Sequence, residues 1–182
     1  MTSTRSSVLE LAAALVPVDP IILEAGSHNG SDTCVLSATW PAARIYAIEP
    51  TPQNCAAVVA RNLPNVSCRQ FAFSSENGTA DFHMEQSGDG GASSLLEAEG
   101  WFFVDYIKKE EIIRVTTKTL DAWCREETLD RIDFMWLDLE GMELPVLRHG
   151  QEILKTVKAI FTEVNFVGPA RGTRCTRTCI GS

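Results

Sequence analysis

Short apolar runs recur along the chain, separated by stretches with helical spacing. The runs that predict strands are Ile21 to Ala25, Arg44 to Ile48, Val66 to Ala72, Ala80 to Met84, Ile112 to Thr116, Ile132 to Leu137 and Ala159 to Phe166. Between two of them, Pro52 to Leu63 places apolar residues at helical spacing, which predicts a strand-helix-strand unit. Some runs are nearly continuous in apolar character, as expected when helices cover both faces of a parallel sheet. The pattern predicts a doubly wound, mostly parallel α/β fold.

The length of 182 residues and the 45% hydrophobic content predict one packed domain. We divide the chain into residues 1–20 (an N-terminal helix and lead-in), residues 21–166 (the ligand-binding domain) and residues 167–182 (an irregular tail). The first helix, roughly Val8 to Leu15, is too short to span a bilayer and lacks a basic start. No membrane partner and a cytoplasmic location are expected.

Charge and cysteine content narrow the function classes. A net charge of −8 argues against nucleic acid as the main partner, because nucleic-acid binders present basic surfaces. The six cysteines, at positions 34, 55, 68, 124, 175 and 179, contain no Cys-x-x-Cys pair. They are interpreted as small buried apolar residues rather than metal ligands.

The first apolar run leads into a glycine-containing turn. Glu24, Gly26 and Gly30 give the spacing acid-x-Gly-x-x-x-Gly, and a helix is predicted to begin near Ser31 or Asp32. Such a turn allows a ligand to approach the backbone, and the helix start offers unpaired N–H groups. Glu49 ends the second run, where a carboxylate could accept both ribose hydroxyls. A nucleoside-containing ligand is predicted.

The form of the turn discriminates between nucleoside ligands. A dinucleotide site would usually have glycines where this chain has His28 and Ser31. The observed spacing instead resembles motif I of class I S-adenosylmethionine-dependent methyltransferases. Nicotinamide or flavin binding, or a turn without ligand, remain the alternatives.

The next segments offer two interpretations each. Residues 85–100 have loop chemistry, and Gly90 to Leu95 are either an active-site loop or a connector. The aromatic residues between Trp101 and Tyr106 precede charges at 108–111. They predict a helix packed by its aromatics with a solvated charged end, or alternatively a surface that stacks on substrate.

A later apolar strand runs directly into carboxylates. Asp138, Glu140 and Glu143 surround Gly141. In open α/β sheets, ligands bind beyond the carboxyl ends of the strands where strand order reverses. Asp138 is therefore expected to face the same crevice as Gly26 and Glu49.

Together these stretches resemble the FkbM-like family of class I methyltransferases. The matching stretches are Leu23 to Gly30, Tyr46 to Pro50 with Pro52 and Asn54, Ala72 with the turn 74–78, Thr119 to Asp121, Asp138 to Gly141 with Glu143 and Leu147, and Thr162 to Val164. The resemblance implies methyl transfer from S-adenosyl-L-methionine, most often to oxygen, here of a small molecule or sugar. It also implies roles for individual residues. Glu24, Gly26 and the turn through His28, Asn29 and Gly30 would hold the methionine moiety, and Glu49 would bind the ribose. Ala72 would border the adenine, and Asp138 would lie between cofactor and acceptor.

Alignment of the acceptor and removal of its proton are the main tasks of such an enzyme. The candidate bases are Asp138, Glu140 and His28, whereas Glu143 could equally serve the helix start. Asp138 with Glu163 and Asn165 could supply oxygen ligands to Mg²⁺, but we expect no metal.

The chain departs from the family after Phe166. Residues 167–182 contain three arginines and no acid, and they predict neither helix nor strand. The C-terminal strands of the family are therefore expected to be missing, which suggests truncation, a frame change or a natural short form. An exposed last strand would favour a homodimer through that edge. The alternative functions are a non-catalytic methyltransferase-like domain and, less favoured, a nicotinamide-dependent oxidoreductase.

Overall fold

The computed structural model describes residues 2–85, 91, 93–96, 110–167 and 174–181, with side chains for residues 6–85, 91, 93–96 and 111–162. The helices are α1 (Thr2–Leu15), α2 (Ser31–Thr39), α3 (Pro52–Ala60), α4 (Leu120–Glu126) and α5 (Glu143–Arg148), followed by a 3₁₀ helix (Ile153–Thr156). The strands are β1 (Ile21–Ala25), β2 (Arg44–Ile48), β3 (Val66–Arg69), β4 (Ala72–Phe73), β5 (Gly78–Glu85), β6 (Glu110–Lys118), β7 (Phe134–Leu137), β8 (Ala159–Val167) and β9 (Arg174–Gly181).

The main sheet has the strand order β3-β2-β1-β7-β8-β9, and its first five strands are parallel. The chain runs outward from β1 to β3 and later returns to the other side of β1, so strand order reverses between β1 and β7. Successive side chains of β1 enter opposite cores: Ile22 packs with α1 and α2, and Leu23 with α4 and α5. The predicted doubly wound, mostly parallel fold is confirmed.

A second sheet, β4-β6-β5, lies beside the first. The single strand predicted over Val66 to Ala72 is divided here, because the chain leaves the main sheet after β3 and re-pairs with β6. Phe71 and Phe73 then pack against Trp123 of the main core. This division brings the second sheet to the carboxyl ends of the main strands.

The predicted helix with a charged end is wrong at residues 110–111, since Glu110 and Glu111 begin β6 and pair with β5. Residues 101–106, which carry the aromatic cluster, lie outside the described residues.

The prediction that no strand follows Phe166 is also wrong. Arg174–Gly181 forms β9 and pairs antiparallel with β8. Its threonines, cysteines and Ile180 are residues that fit a pleated strand, and the unpaired backbone of β8 supplies their partners. The edge on this side of the sheet is therefore β9.

The N-terminal helix α1 lies against the main sheet through Val8, Leu9 and Ala12, which are buried. Within the described ranges, no helix has the length and apolar character required to span a membrane.

Candidate active site

A cavity of about 350 Å³ opens at the carboxyl ends of β1, β2 and β7. Its wall includes Gly26, Glu49 and Asp138, so the structure brings together the three residues expected to share a crevice. The other lining residues come from the turns after β1, β2 and β7, the end of β2, the starts of α2 and α3, the second sheet with the residue before it, and the loop after β5. They are Ser27, His28, Asn29, Ser31, Asp32, Ile48, Pro50, Thr51, Asn54, Phe71, Ala72, Phe73, Phe82, Gly91, Ser93, Leu95, Leu139, Glu140 and Met142.

Gly26 occupies a position that no other residue fits without a shift. Its φ is 85°, and a Cβ built there would lie 1.8 Å from the carbonyl oxygen of Asp138. The N–H groups of Gly26 and Ser27 donate to the carbonyl of Ile48 at 3.0 and 3.1 Å. The turn is therefore held between β2 and the chain leaving β7, with its surface open to the cavity.

His28 and Asn29 shape the rest of this turn. His28 has a φ of 48°, and its N–H donates to Glu49 Oε2 at 2.9 Å. Asn29 Oδ1 accepts from the N–H and hydroxyl of Ser31 at 3.1 and 2.6 Å, which satisfies groups at the start of α2. Asn29 thus supports the helix start while lining the cavity.

Gly30 has a different place from the one predicted. It has a φ of 80° and packs beside Arg61 and Val58, and the described cavity wall does not include it. It forms the bend into α2, and its predicted role in holding the cofactor stays a prediction.

Glu49 is buried, and its carboxylate is largely engaged by the protein. Oε1 accepts from the Thr51 N–H at 2.9 Å and from its hydroxyl at 2.7 Å, while Oε2 accepts from His28. Because a carboxylate offers about four acceptor positions, about one remains for a ligand hydroxyl. Burial raises the pKa of Glu49, and the hydrogen bonds from Thr51 and His28 oppose that rise.

Glu24 lies beneath the turn and, in the described structure, is not part of the cavity wall. Its side chain is 1% exposed and accepts a hydrogen bond from the Thr33 hydroxyl at 2.6 Å on Oε2, while Oε1 has no partner among the described residues. Burial raises the pKa of Glu24 to about 8. Its carboxyl group supports the start of α2 through Thr33, so a part for Glu24 in holding the methionine moiety stays a prediction and would act through the turn above it.

An apolar wall closes one side of the cavity. Phe71, Ala72 and Phe73 come from β4 and the residue before it, and Phe82 from β5. Ala72 was expected to border an adenine, and it lies on this wall. Phe82 carried no signal in the sequence, because only the pairing of β4, β5 and β6 brings it here.

The turn after β7 carries two of the three predicted bases, Asp138 and Glu140. Asp138 is exposed, and its N–H continues the sheet by donating to Ala25 at 2.9 Å. Glu140 is half-buried and has a φ of 48°. Glu143 accepts from the N–H groups of Leu139 and Gly141 at 2.8 and 3.0 Å. Asp138, Glu140 and His28 line the cavity, whereas Glu143 holds the turn that presents Asp138 and Glu140.

The loop after β5 also reaches the cavity. Gly91, Ser93 and Leu95 line it, in agreement with an active-site position for this segment; Gly90 and Ala92 lie outside the described residues.

Cys55 Sγ and Cys68 Sγ lie 2.8 Å apart between α3 and β3. This contact was not predicted from the sequence, because the two residues belong to different elements. Among the described residues, no group of three or more histidine, cysteine or acidic side chains could hold a metal ion. The side chains of Glu163 and Asn165 lie outside the described part.

The family model for the methyltransferase FkbM domain matches residues 24–175 of this chain. The chain is 32% identical over 171 residues to the 2-O-methyltransferase NoeI of Sinorhizobium fredii, covering 89% of this chain and 70% of that protein. It is 27% identical over 161 residues to the methyltransferase sdnD of Sordaria araneosa, covering 74% of this chain and 62% of that protein.

A solved rRNA methylase of Streptococcus thermophilus is similar with a TM-score of 0.45 and 15% identity, covering 85% of this chain and 67% of that one. A likeness this low carries no information on the acceptor.

Proposed function

Since the chain belongs to the FkbM methyltransferase family and is an S-adenosylmethionine-dependent methyltransferase, we propose that it methylates a hydroxyl oxygen of a small molecule, with sugar hydroxyls as the first candidates. The observation that carries this proposal is the single cavity that joins the Gly26 turn, Glu49 and the turn after β7. The name of the relative NoeI, a 2-O-methyltransferase, directs attention to oxygen acceptors.

The residues of the cavity suit S-adenosylmethionine. Gly26 lets the turn pass directly against the Asp138 carbonyl while its backbone lines the cavity. Glu49 retains about one acceptor position for a ribose hydroxyl, and Phe71 and Ala72 give an apolar surface for the adenine. The carboxylates of Asp32 and Asp138 favour the positive charge of the cofactor's ammonium and sulfonium groups. A cavity of about 350 Å³ is within the size range of small-molecule sites.

The bound cofactor supplies an electrophilic methyl group. The protein must then place an acceptor oxygen in line with it and take the hydroxyl proton. Asp138 adjoins Gly26 through its own backbone, so we assign it to the cofactor side. Glu140 is two residues further on, lines the cavity, and accepts a hydrogen bond from Ser94 of the loop after β5 on its backbone carbonyl, so we assign its carboxylate as the base on the acceptor side. His28 is held beside Glu49 and helps to seat the cofactor.

We do not propose either alternative function, the non-catalytic domain or the oxidoreductase. A non-catalytic domain was inferred from absent C-terminal strands, and Arg174–Gly181 is a strand of the main sheet. A nicotinamide-dependent oxidoreductase does not agree with the methyltransferase family of the chain.

We further propose a cytoplasmic location, where the free thiols of Cys34, Cys55, Cys68 and Cys124 would stay reduced. Nucleic acid is not proposed as a partner, given the net charge of −8. A homodimer through the sheet edge would use β9 in place of β8.

Calorimetric titration with S-adenosylmethionine, S-adenosylhomocysteine and NAD tests the cofactor assignment. We expect saturable binding of both S-adenosyl ligands and none of NAD. Glu49→Ala should weaken S-adenosyl binding by about 10- to 100-fold, as expected for a hydrogen bond to a buried carboxylate. Glu76→Ala, which changes an exposed residue away from the cavity, is the matched control.

Transfer of labelled methyl from S-adenosylmethionine to a panel of methyl glycosides with free 2-hydroxyls, and to the same glycosides with that hydroxyl blocked, tests the acceptor class. Transfer only to the unblocked glycosides supports the proposal. Equal labelling of both sets, or labelling of nitrogen in an amine panel alone, contradicts it.

A further inference from the structure

The segment of the loop after β5 that the structure describes, Gly91 with residues 93–96, is hereafter called the strap. It is attached to β5 by main-chain hydrogen bonds in both directions between His83 and Ser94, at 2.8 and 3.0 Å. The Glu85 N–H also donates to the Ser93 hydroxyl at 3.0 Å. Leu95 packs against both the main core and the core of the second sheet. The strap is therefore fixed to the body of the protein at several points.

The Ser94 hydroxyl links the strap to the turn after β7. It donates to the carbonyl oxygen of Glu140 at 3.1 Å and accepts from the Leu96 N–H at 3.1 Å. Ser94 itself is 8% exposed, and both hydrogen bonds are partly buried. Its side chain does not line the cavity wall; its neighbours Ser93 and Leu95 do.

Glu140 is in a backbone conformation that requires support. Its φ of 48° is unfavourable for a residue with a Cβ, and such residues persist only where the surroundings hold them. Glu143 fixes the amides on both sides of Glu140, at Leu139 and Gly141. Ser94 holds the same peptide unit from its other side, because the Glu140 carbonyl and the Gly141 N–H belong to one planar peptide group.

We propose that Ser94 is a positioning residue, whose hydroxyl holds the Glu140 peptide so that the Glu140 carboxylate faces the acceptor oxygen. This inference rests on the proposed function, in which Glu140 is the base. Ser94 acts through Glu140 and touches neither cofactor nor acceptor. Through Ser94, the strap is thereby connected to Glu140, the residue that takes the proton.

The test compares Ser94→Ala and Ser94→Thr, alone and combined with Glu140→Gln. Steady-state rates use S-adenosylmethionine and a methyl glycoside with a free 2-hydroxyl. We expect Ser94→Ala to lower kcat by about 5- to 10-fold, in line with the loss of one hydrogen bond, with the Kd for S-adenosylmethionine changed by less than about twofold. Ser94→Thr keeps the hydroxyl and should recover most of the activity.

The double variant identifies the route of the effect. Because Ser94 acts through Glu140, Ser94→Ala should cost little further activity once Glu140 is glutamine. Ser37→Ala, which removes a hydroxyl bonded to Asn65 far from the cavity, controls for the general loss of a hydrogen bond. An equal loss of kcat in both backgrounds, or no recovery in Ser94→Thr, would overturn the proposal.

Hydrogen exchange gives a readout that needs no acceptor. In protein saturated with S-adenosylmethionine, the amides of residues 139–143 should exchange faster in Ser94→Ala than in the wild type and Ser94→Thr. Unchanged exchange in Ser94→Ala would refute the role of Ser94 alone. Failure of the wild type to bind S-adenosylmethionine would instead refute the proposed function.

Discussion

Replacement of Glu24 by glutamine should remove a large part of the pH dependence of stability. Glu24 is 1% exposed and its pKa is raised from 4.5 to about 8, first by burial, against the opposing hydrogen bond from Thr33. The folded protein therefore keeps a proton that the unfolded chain has released. A raised pKa of this kind gives stability that is fully present below the unfolded pKa and is lost as the pH rises through the folded pKa.

The magnitude follows from the width of that window. Each pH unit within it lowers the free energy of unfolding by about 1.4 kcal/mol, so the wild type should lose about 4 kcal/mol between about pH 5 and pH 8 because of Glu24. Glutamine at position 24 resembles the protonated acid in shape and cannot titrate. The free energy of unfolding of Glu24→Gln relative to wild type should therefore rise by about this amount over the same range.

The assay is urea unfolding at pH 5, 6, 7 and 8. The free energies of unfolding of the wild type and Glu24→Gln are compared at every pH. Thr33→Val provides a second perturbation, because removal of the hydroxyl takes away the hydrogen bond that lowers the pKa of Glu24. The decline in stability should then extend to higher pH. If wild type and Glu24→Gln show the same pH dependence, the inference that Glu24 is buried and protonated is refuted.

Three further substitutions test other parts of the structure. Gly26→Ala places a Cβ 1.8 Å from the Asp138 carbonyl at a φ of 85°, so we expect loss of S-adenosylmethionine binding by calorimetry and a destabilisation of more than about 2 kcal/mol by urea unfolding. Binding as in the wild type would contradict the close approach. Glu143→Ala leaves two amides of the turn without their acceptor and should lower stability by about 1–3 kcal/mol. It should also lower turnover more than it lowers cofactor affinity. Unchanged turnover would argue against a role for this turn in presenting the base. Arg69→Met breaks the bidentate ion pair with Glu127 and should lower the free energy of unfolding by about 0.5–1 kcal/mol in the same assay. The loss should be smaller in 1 M salt than in 0.1 M salt, because salt screens the pair. A loss of stability that does not depend on salt would indicate packing as the cause.

The fold was readable because its main signals are local. The apolar runs of β1, β2 and β7 and the helical spacing of α3 are set by neighbouring residues, and the parallel sheet follows from covering both faces of such strands. Gly26, Glu49 and Asp138 could be grouped from the sequence for a related reason. All three follow the carboxyl end of a parallel strand, and such ends lie at one edge of a sheet.

The sequence pattern was a poor guide where pairing partners decide the structure. Residues 174–181 have no strong apolar alternation, and they form β9 because β8 offers unpaired backbone groups. Val66 to Ala72 reads as one strand, yet the chain changes sheets after Arg69 to pair with β6. In both cases the local pattern is weaker than the hydrogen bonds available from a distant segment.

The sequence by itself determined the family, the cofactor class and the edge of the sheet at which ligand binds. Only the tertiary structure decided which acids face the cavity: Glu24 turns inward to Thr33, Glu143 binds its own turn, and Glu140 remains on the wall beside the strap. The physical reason is that spacing along the chain fixes where a side chain starts, whereas its direction and charge depend on the burial and hydrogen bonds that distant residues supply.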